Sequence, residues 1–430
     1  MKIFIDLFRK NLFKNISYLF IFQIAMYLVP MVTLPYLTRT LGVAHFGVMG
    51  IALGIVSLMT LLTDWGFSWT ATQDVARNAG NPEMLHTIFW DTFWARMGLG
   101  VLAFLILFIV TSFSLVPSVG MLGGVLLAAS TQTLTAMLSV NWFLQGLERM
   151  GAFVTTLMAG RLLTIPLTFL LVRTPEDVAM AALIPGLCGI FSCAISFVVA
   201  NRLVRLLPLR FNIAGSLKQL RAGAKIFLST GAINLYTQSN VLIIGMLAGN
   251  AEAGLFHGGD RIRRAVQMLV GPIGTAIFPR INNLLMHDRA AAHKLMMMTL
   301  IGQGGLTFLL SIIMFFVAPW GVPFALGKEF IHAVAVVEWL SPIPFLVGIS
   351  NVLGINIMLP LGMKNAFTLI VMASAAINFL LMLILCPRYG AAGGAAAATL
   401  AEAFVTGAMS VVLLYSRNMR RISDTKHDER

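Results

Sequence analysis

The stretch HGGDRIRRAVQMLVGPIGTAIFPR, residues 257–280, opens with an aspartate and three arginines and continues as an apolar run. From Ala265 to Pro279 the helix would be about 22 Å long, short of a hydrocarbon core of about 30 Å. Starting it at Asp260 restores a full span and puts the charges within the membrane's thickness. On such a helix Asp260, Arg261, Arg263, Arg264, Gln267, Gly271, Gly274 and Thr275 share one broad face. Ile262, Ala265, Val266, Leu269, Ile273 and Ile277 take the other. A span with a basic, small-residue face lines a water-filled cavity rather than meeting lipid. Two plainer accounts compete. Arginines near a helix end can reach up to the headgroups, Arg263 above all, and Asp260 can pair with Arg264 at i, i+4.

The rest of the chain has the same character. Its 430 residues are 58% hydrophobic and 11% charged, with a mean hydropathy of +0.87. Soluble domains carry roughly a quarter of charged residues. Twelve apolar runs are long enough to cross a bilayer: near 16–37, 47–63, 93–113, 119–141, 152–172, 179–200, 226–248, 260–279, 298–318, 335–359, 365–386 and 391–415. This is an all-α polytopic membrane protein. The first run, behind MKIFIDLFRKNLFKN, is too long for a secretory signal and reads as an uncleaved helix. With the N-terminus inside, most of the 30 lysines and arginines fall on cytoplasmic segments. Only Arg39, Arg173, Lys328 and Arg388 fall on outer loops, a bias that places both termini in the cytoplasm. The net charge of +13 is thus spent on topology, and no nucleic-acid partner is expected. Cys188, Cys193 and Cys386 fall inside spans without metal-ligand spacing and read as small buried side chains.

Internal halves are visible. GVAHFG (42–47) and GNAEAG (249–254) share G-x-A-x-x-G, 207 residues apart, each on an outer loop joining a half's first two helices. Two six-helix lobes, 1–200 and 226–416, then flank a basic cytoplasmic linker, 201–225, and a cytoplasmic tail, 417–430, follows. Six is an even number, so both lobes enter from the same side, with a substrate path between them. The linker NRLVRLLPLRFNIAGSLKQLRAGAK has six basic residues and no acid. It reads as a topology-setting loop, with binding to anionic headgroups as the alternative.

Five arginines are not explained by topology: Arg96, Arg161, Arg261, Arg263 and Arg264. Arg96 lies near a cytoplasmic end and reads as snorkelling. Arg161 is about ten residues from either end of its span, where even lenient scales charge about 2.5–3.5 kcal/mol. A cavity-facing role suits it best. Glu402, near mid-membrane on the last helix, reads equally as the carrier of a coupling proton or as counter-charge to an arginine. Asn234 and Gln238, one turn apart, and Asn351 and Asn356 add polar points suited to helix–helix hydrogen bonds or to a cavity. A cationic interior fits an anionic cargo, since the guanidinium fork holds phosphate bidentately at any working pH. No nucleotide-phosphate loop of the G-x-x-x-x-G-K-[ST] kind is present, and the pattern calls for no cofactor or metal.

LVPMVTLPYLTRTLGVAHFGVMGIALGIVSLMTLLTDWGFSWTATQDVAR (28–77) resembles the N-terminal signature of Wzx-type polysaccharide flippases, in the multidrug/oligosaccharidyl-lipid/polysaccharide exporter superfamily. GLFHGGDRIRRAVQMLVGPIGTAIFPRI (254–281), SNVLGINIMLPLGMKN (350–365) and YGAAGGAAAATLAEAF (389–404) resemble its later segments. The resemblance implies twelve transmembrane helices in two six-helix lobes around a central cavity. It also implies flipping of undecaprenyl-diphosphate-linked O-antigen units from the cytoplasmic to the periplasmic leaflet of the inner membrane, coupled to an ion gradient. Asp260-Arg261 is similar to an Asp-Arg pair on helix eight of peptidoglycan lipid flippases, which implies a cavity role for Arg261. Two further C-terminal helices of those flippases have no counterpart here. The diphosphate would meet Arg261, Arg264, Arg161 and Arg39, with Arg263, Gln267, Asn234 and Gln238 lining the cavity and Asp260 as charge partner. Polymerase and chain-length proteins of the same pathway are the implied protein partners, with membrane lipid around them. Two rivals are weaker. A cation-coupled drug antiporter of the same fold would need acids in its cavity, and an integral-membrane enzyme a sizeable outer loop.

Overall fold

Two glycines set the chain's repeat. Gly42 (φ 68°, ψ 175°) and Gly249 (φ 92°, ψ 173°) hold nearly the same backbone conformation. With positive φ and ψ near 180° this region is closed to any residue with a Cβ. The G-x-A-x-x-G pair therefore marks two copies of one joint, and each joint is a single residue rather than the loop expected from the sequence. Gly42 kinks α1 (Lys2–Asp64) without ending it. Gly249 separates α8 (Ile213–Ala248) from α9 (Asn250–Met268). Replacing either glycine by alanine is expected to cost about 1–3 kcal/mol, read as a lower melting temperature in detergent. Gly123, inside a helix with open space where a Cβ would go, is the control that should melt no lower.

The computed structural model describes the backbone of residues 2–112, 119–269 and 271–416. Side chains are described in those ranges except at 2–27, 112, 119–121, 225, 228–230, 232–236, 271–276 and 279. All regular elements among these residues are helices. After α1 come α2 (Phe67–Arg77), α3 (Pro82–Ser112), α4 (Val119–Leu138), α5 (Asn141–Gly146), α6 (Met150–Leu171) and α7 (Val178–Val204). After α9 come α10 (Gly271–His287), α11 (Arg289–Leu326), α12 (Ala333–Leu340), α13 (Ile343–Asn351) and α14 (Lys364–Tyr415), with a π-helical turn at Val352–Met358. Eight stretches among the described residues are long and apolar enough to cross a membrane. Two of these, Leu28–Arg77 and Lys364–Tyr415, run to 50 and 52 residues. At 1.5 Å per residue that is roughly 75 Å, too long for one crossing, and each contains a glycine kink, at Gly42 and Gly390. The chain divides into two compact units, Met1–Leu242 and Ile243–Arg430. The first part of the basic stretch is irregular from Arg205 to Asn212, and Ile213 onward is already helix α8.

Why these helices pack is clearest on α11. Thr299, Gln303, Thr307 and Ser311 recur every four residues and are buried, whereas Phe308, Phe316, Trp320 and Phe324 are exposed. A helix that is small and polar inside and aromatic outside has lipid as its solvent. Gln303 Nε2 donates to the Gly348 carbonyl at 3.1 Å, and the Phe345 amide donates to Ser311 Oγ at 3.0 Å. In the first unit α7 uses the same device. A Cβ on Gly186 would fall 1.9 Å from Thr131 Oγ1, so only glycine lets α4 approach. Thr135 then donates to the Gly186 carbonyl at 2.9 Å. Cys188, Cys193 and Cys386 are buried, as small side chains in such faces are.

One expected helix is drawn differently. The span read at 260–279 is two helices, α9 ending at Met268 and α10 beginning at Gly271. Pro272 explains the break: it donates no backbone hydrogen bond and disfavours helical geometry at the residue before it, so it sits in the first turn of a new helix. The charges lie on the last turns of α9, whose first half, Ala253 to Asp260, is buried on every side. α9 packs against α11, α12, α13 and α14.

Candidate cationic site on α9

Asp260 is the hub of the site. It is 6% exposed. Its Oδ1 lies 2.6 Å from Arg263 Nη2 and accepts from Arg263 Nε at 2.7 Å. Its Oδ2 accepts from Arg264 Nε at 2.6 Å. Arg263 Nη1 also donates to Gln267 Oε1. The spacings 260, 263, 264 and 267 put all four on one face of α9, and cations at a helix C-terminus are favoured by its dipole. Arg263 is 14% exposed and held at both ends, so it does not snorkel. Arg261 is half-buried on the same helix. The sequence pairing of Asp260 with Arg264 is therefore present and is joined by Arg263.

The other expected site residues lie on other helices. Arg39 is exposed on α1, three residues before the Gly42 joint. Arg161 is exposed midway along α6. Tyr36, one turn before Arg39, donates to the Val172 carbonyl at 2.6 Å, just past the end of α6. Arg161 lies eleven residues before Val172, about 16 Å along the helix, so the two arginines sit at different depths. Gln238 is half-buried on α8, and the side chain of Asn234 lies outside the described residues. Gly271, Gly274 and Thr275, expected on the cationic face, also lie among residues whose side chains are not described. Glu402 is half-buried on α14. Asn351 is exposed, whereas Asn356 is 1% exposed within the π-helical turn.

Two polar contacts were missed. Glu252 Oε2 accepts the Ala391 amide at 2.6 Å, capping the kink of α14 at Gly390. Arg96 is 3% exposed, with Nη2 3.2 Å from Asp64 Oδ1 and Nη1 donating to the Ser139 carbonyl at 3.0 Å. The snorkelling account of Arg96 is therefore wrong. Its partner is 32 residues away on α1, and nothing local in the sequence announces it. Among the described residues no group of histidine, cysteine or acidic side chains could hold a metal ion.

Residues 12–285 match the family model described as "Polysaccharide biosynthesis protein". That range holds Arg39, Arg161 and the whole α9 network. The chain belongs to this family. A relative in Escherichia coli (strain K12), named "Putative O-antigen transporter", is 30% identical over 408 residues, covering 95% of this chain and 97% of the relative. A protein of Shigella dysenteriae with the same name is 27% identical, covering 88% of this chain and 94% of its own. Among solved structures, the family member is similar in fold to a lipid II flippase MurJ in an inward closed conformation. The TM-score is 0.70 at 12% identity, over 96% of this chain and 90% of that one. It is likewise similar to an inward-facing multidrug resistance MATE family transporter, with a TM-score of 0.63 at 13% identity, over 95% and 99%. Those likenesses show the fold of a multi-pass transporter.

Proposed function

We propose that the protein is a flippase moving undecaprenyl-diphosphate-linked O-antigen oligosaccharide units from the cytoplasmic to the periplasmic leaflet of the bacterial inner membrane. The observation that carries the reading is the α9 cluster, three arginines within four residues on one helix, two of them clamped on the buried Asp260. A diphosphate is the cargo group that clustered guanidiniums suit, because it offers several oxygens to planar forks. The two E. coli and Shigella relatives support the O-antigen cargo. In this reading twelve spans form two lobes, both termini are cytoplasmic, and rocking of the lobes exposes the cavity to each side in turn. The prenyl tail stays in lipid while Arg261, Arg264, Arg161 and Arg39 meet the phosphates and Arg263, Gln267, Asn234 and Gln238 complete the lining. Glu402 is the candidate carrier of a coupling ion. Polymerase and chain-length proteins would take the delivered units. No covalent step is required of the protein. The MATE-like fold favours a cation-coupled drug antiporter as second reading, against which the sign of the α9 charge stands.

The test is complementation of a deletion strain, scored by surface polysaccharide with membrane levels checked. Arg261→Ala and Arg161→Ala are each expected to lower export at least tenfold, with Arg261→Lys partly active because it keeps the charge and loses the fork. Glu402→Gln is expected to lower export if it carries the ion. Normal export with both alanines would remove the cationic site, and normal export in the deletion strain would remove the flippase reading.

A further inference from the structure

The segment after α7 is built as a strap along α3. Three α3 side chains at four-residue spacing fasten its carbonyls. His86 Nε2 lies 2.9 Å from the Pro208 oxygen, Trp90 Nε1 donates to Leu206 at 2.8 Å, and Trp94 Nε1 donates to Arg210 at 2.9 Å. Arg210 Nη1 reaches back to Thr87 Oγ1 at 2.6 Å. Phe211 packs edge-on to Trp94, with ring centroids 5.2 Å apart. The strap is thus held at its backbone, with Leu206 buried and several of its large apolar side chains left exposed. Leu207, Leu209, Phe211 and Ile213 are 55–66% exposed, in a segment that also carries Arg205 and Arg210. Between the strap and the first turns of α3 lies a groove of about 630 Å³, lined by Asn81, Glu83, His86, Thr87, Arg205 and Arg210 among others. Glu83 is its one acid in that set and sits in the first turn of α3, where the helix dipole favours it.

Large apolar side chains standing out from a pinned, basic segment at the ends of two spans are arranged for one surroundings. The segment follows the end of one apolar span and lies along the start of another, and the ends of spans are where interfacial residues concentrate. Juxtamembrane arginines there meet anionic headgroups. We propose that the groove holds the phosphate of an anionic bilayer phospholipid, with Arg205 and Arg210 on the phosphate and Leu207, Leu209 and Phe211 among its acyl chains. The topology proposed above names the leaflet as cytoplasmic, but the site does not depend on the cargo. It would tie the α3 end of the first unit to the charge of the surrounding membrane.

The full-length protein in mild detergent, titrated with phosphatidylglycerol or phosphatidylcholine and weighed intact by native mass spectrometry, tests this. Wild type is expected to retain phosphatidylglycerol over phosphatidylcholine. Arg205→Gln with Arg210→Gln, which spares the backbone bonds of the strap, is expected to lower phosphatidylglycerol retention at least fivefold. An equal charge loss at Lys328→Gln with Arg388→Gln should leave it unchanged. Leu207→Ser with Leu209→Ser, both exposed, is the second variant should the first prove unstable, and it too should lower retention. Millimolar inorganic phosphate is expected not to displace the lipid, because it brings no chains. Unchanged retention in both strap variants, equal retention of the two lipids, or displacement by free phosphate would each overturn the assignment. None of these outcomes bears on the export assay, so the two readings fail separately.

Discussion

Replacing Asp260 by alanine is expected to destabilise the protein by about 3–5 kcal/mol, the usual loss when one partner of a buried ion cluster is removed. The carboxylate is 6% exposed, and each of its oxygens holds a different arginine. Without it Arg263, 14% exposed, keeps its bond to Gln267, and a desolvated guanidinium has lost its counter-charge. Asp260→Asn should fall between wild type and alanine, since the amide keeps the shape but sets an NH2 against a cation. Arg264→Ala should cost little, about 0–1 kcal/mol, because Arg264 is 36% exposed and water screens its pair. The check is thermal melting in detergent, with Asp260→Ala/Arg263→Met added. The double variant should recover part of the loss, because it removes the charge that the single variant strands. A wild-type melting temperature for Asp260→Ala would mean that water or lipid already neutralises the arginines.

Asp64→Ala is expected to be the most damaging substitution in the first unit, at about 3–5 kcal/mol, while Arg96→Met costs about 0–2 kcal/mol. The asymmetry follows from burial. Arg96 is 3% exposed and has Asp64 as its charge partner, whereas the Asp64 side chain is 28% exposed and also accepts from Ser68 Oγ at 2.6 Å. Removing the acid leaves a cation in a dry site. Removing the cation leaves an acid that water can reach, and methionine refills the volume. Melting of the two variants side by side reads the order directly. The reverse order would place the main cost in the lost Arg96 bond to Ser139 rather than in stranded charge.

The helical membrane fold was legible because lipid reverses the usual pattern, and the reversal is written in composition and in apolar runs. The matching pair of glycine joints was legible from six residues, since Gly42 and Gly249 occupy a conformation that only glycine enters readily. Arg263 and Arg264 were placed on one face with Asp260 because helix geometry alone fixes that. The break between α9 and α10 was hidden inside an apolar run that outweighed Gly271-Pro272. Arg96 was misread, and Glu252 was passed over, for a shared reason. Their partners, Asp64 and the Ala391 amide, are distant in the chain, and only folding brings them near. The strap was read as a charge bias because its carbonyl bonds to His86, Trp90 and Trp94 leave no trace in the composition of either segment.

The two joints have a consequence for the gene. A codon for Gly42 or Gly249 specifies a torsion as much as a residue, so every missense change at either one puts a Cβ on a backbone conformation that strains it. At about 1–3 kcal/mol for each change, these two codons carry a cost that does not depend on which side chain is brought in. Two such fixed points in equivalent places are what a duplicated ancestral half would leave behind after the rest of its sequence had diverged.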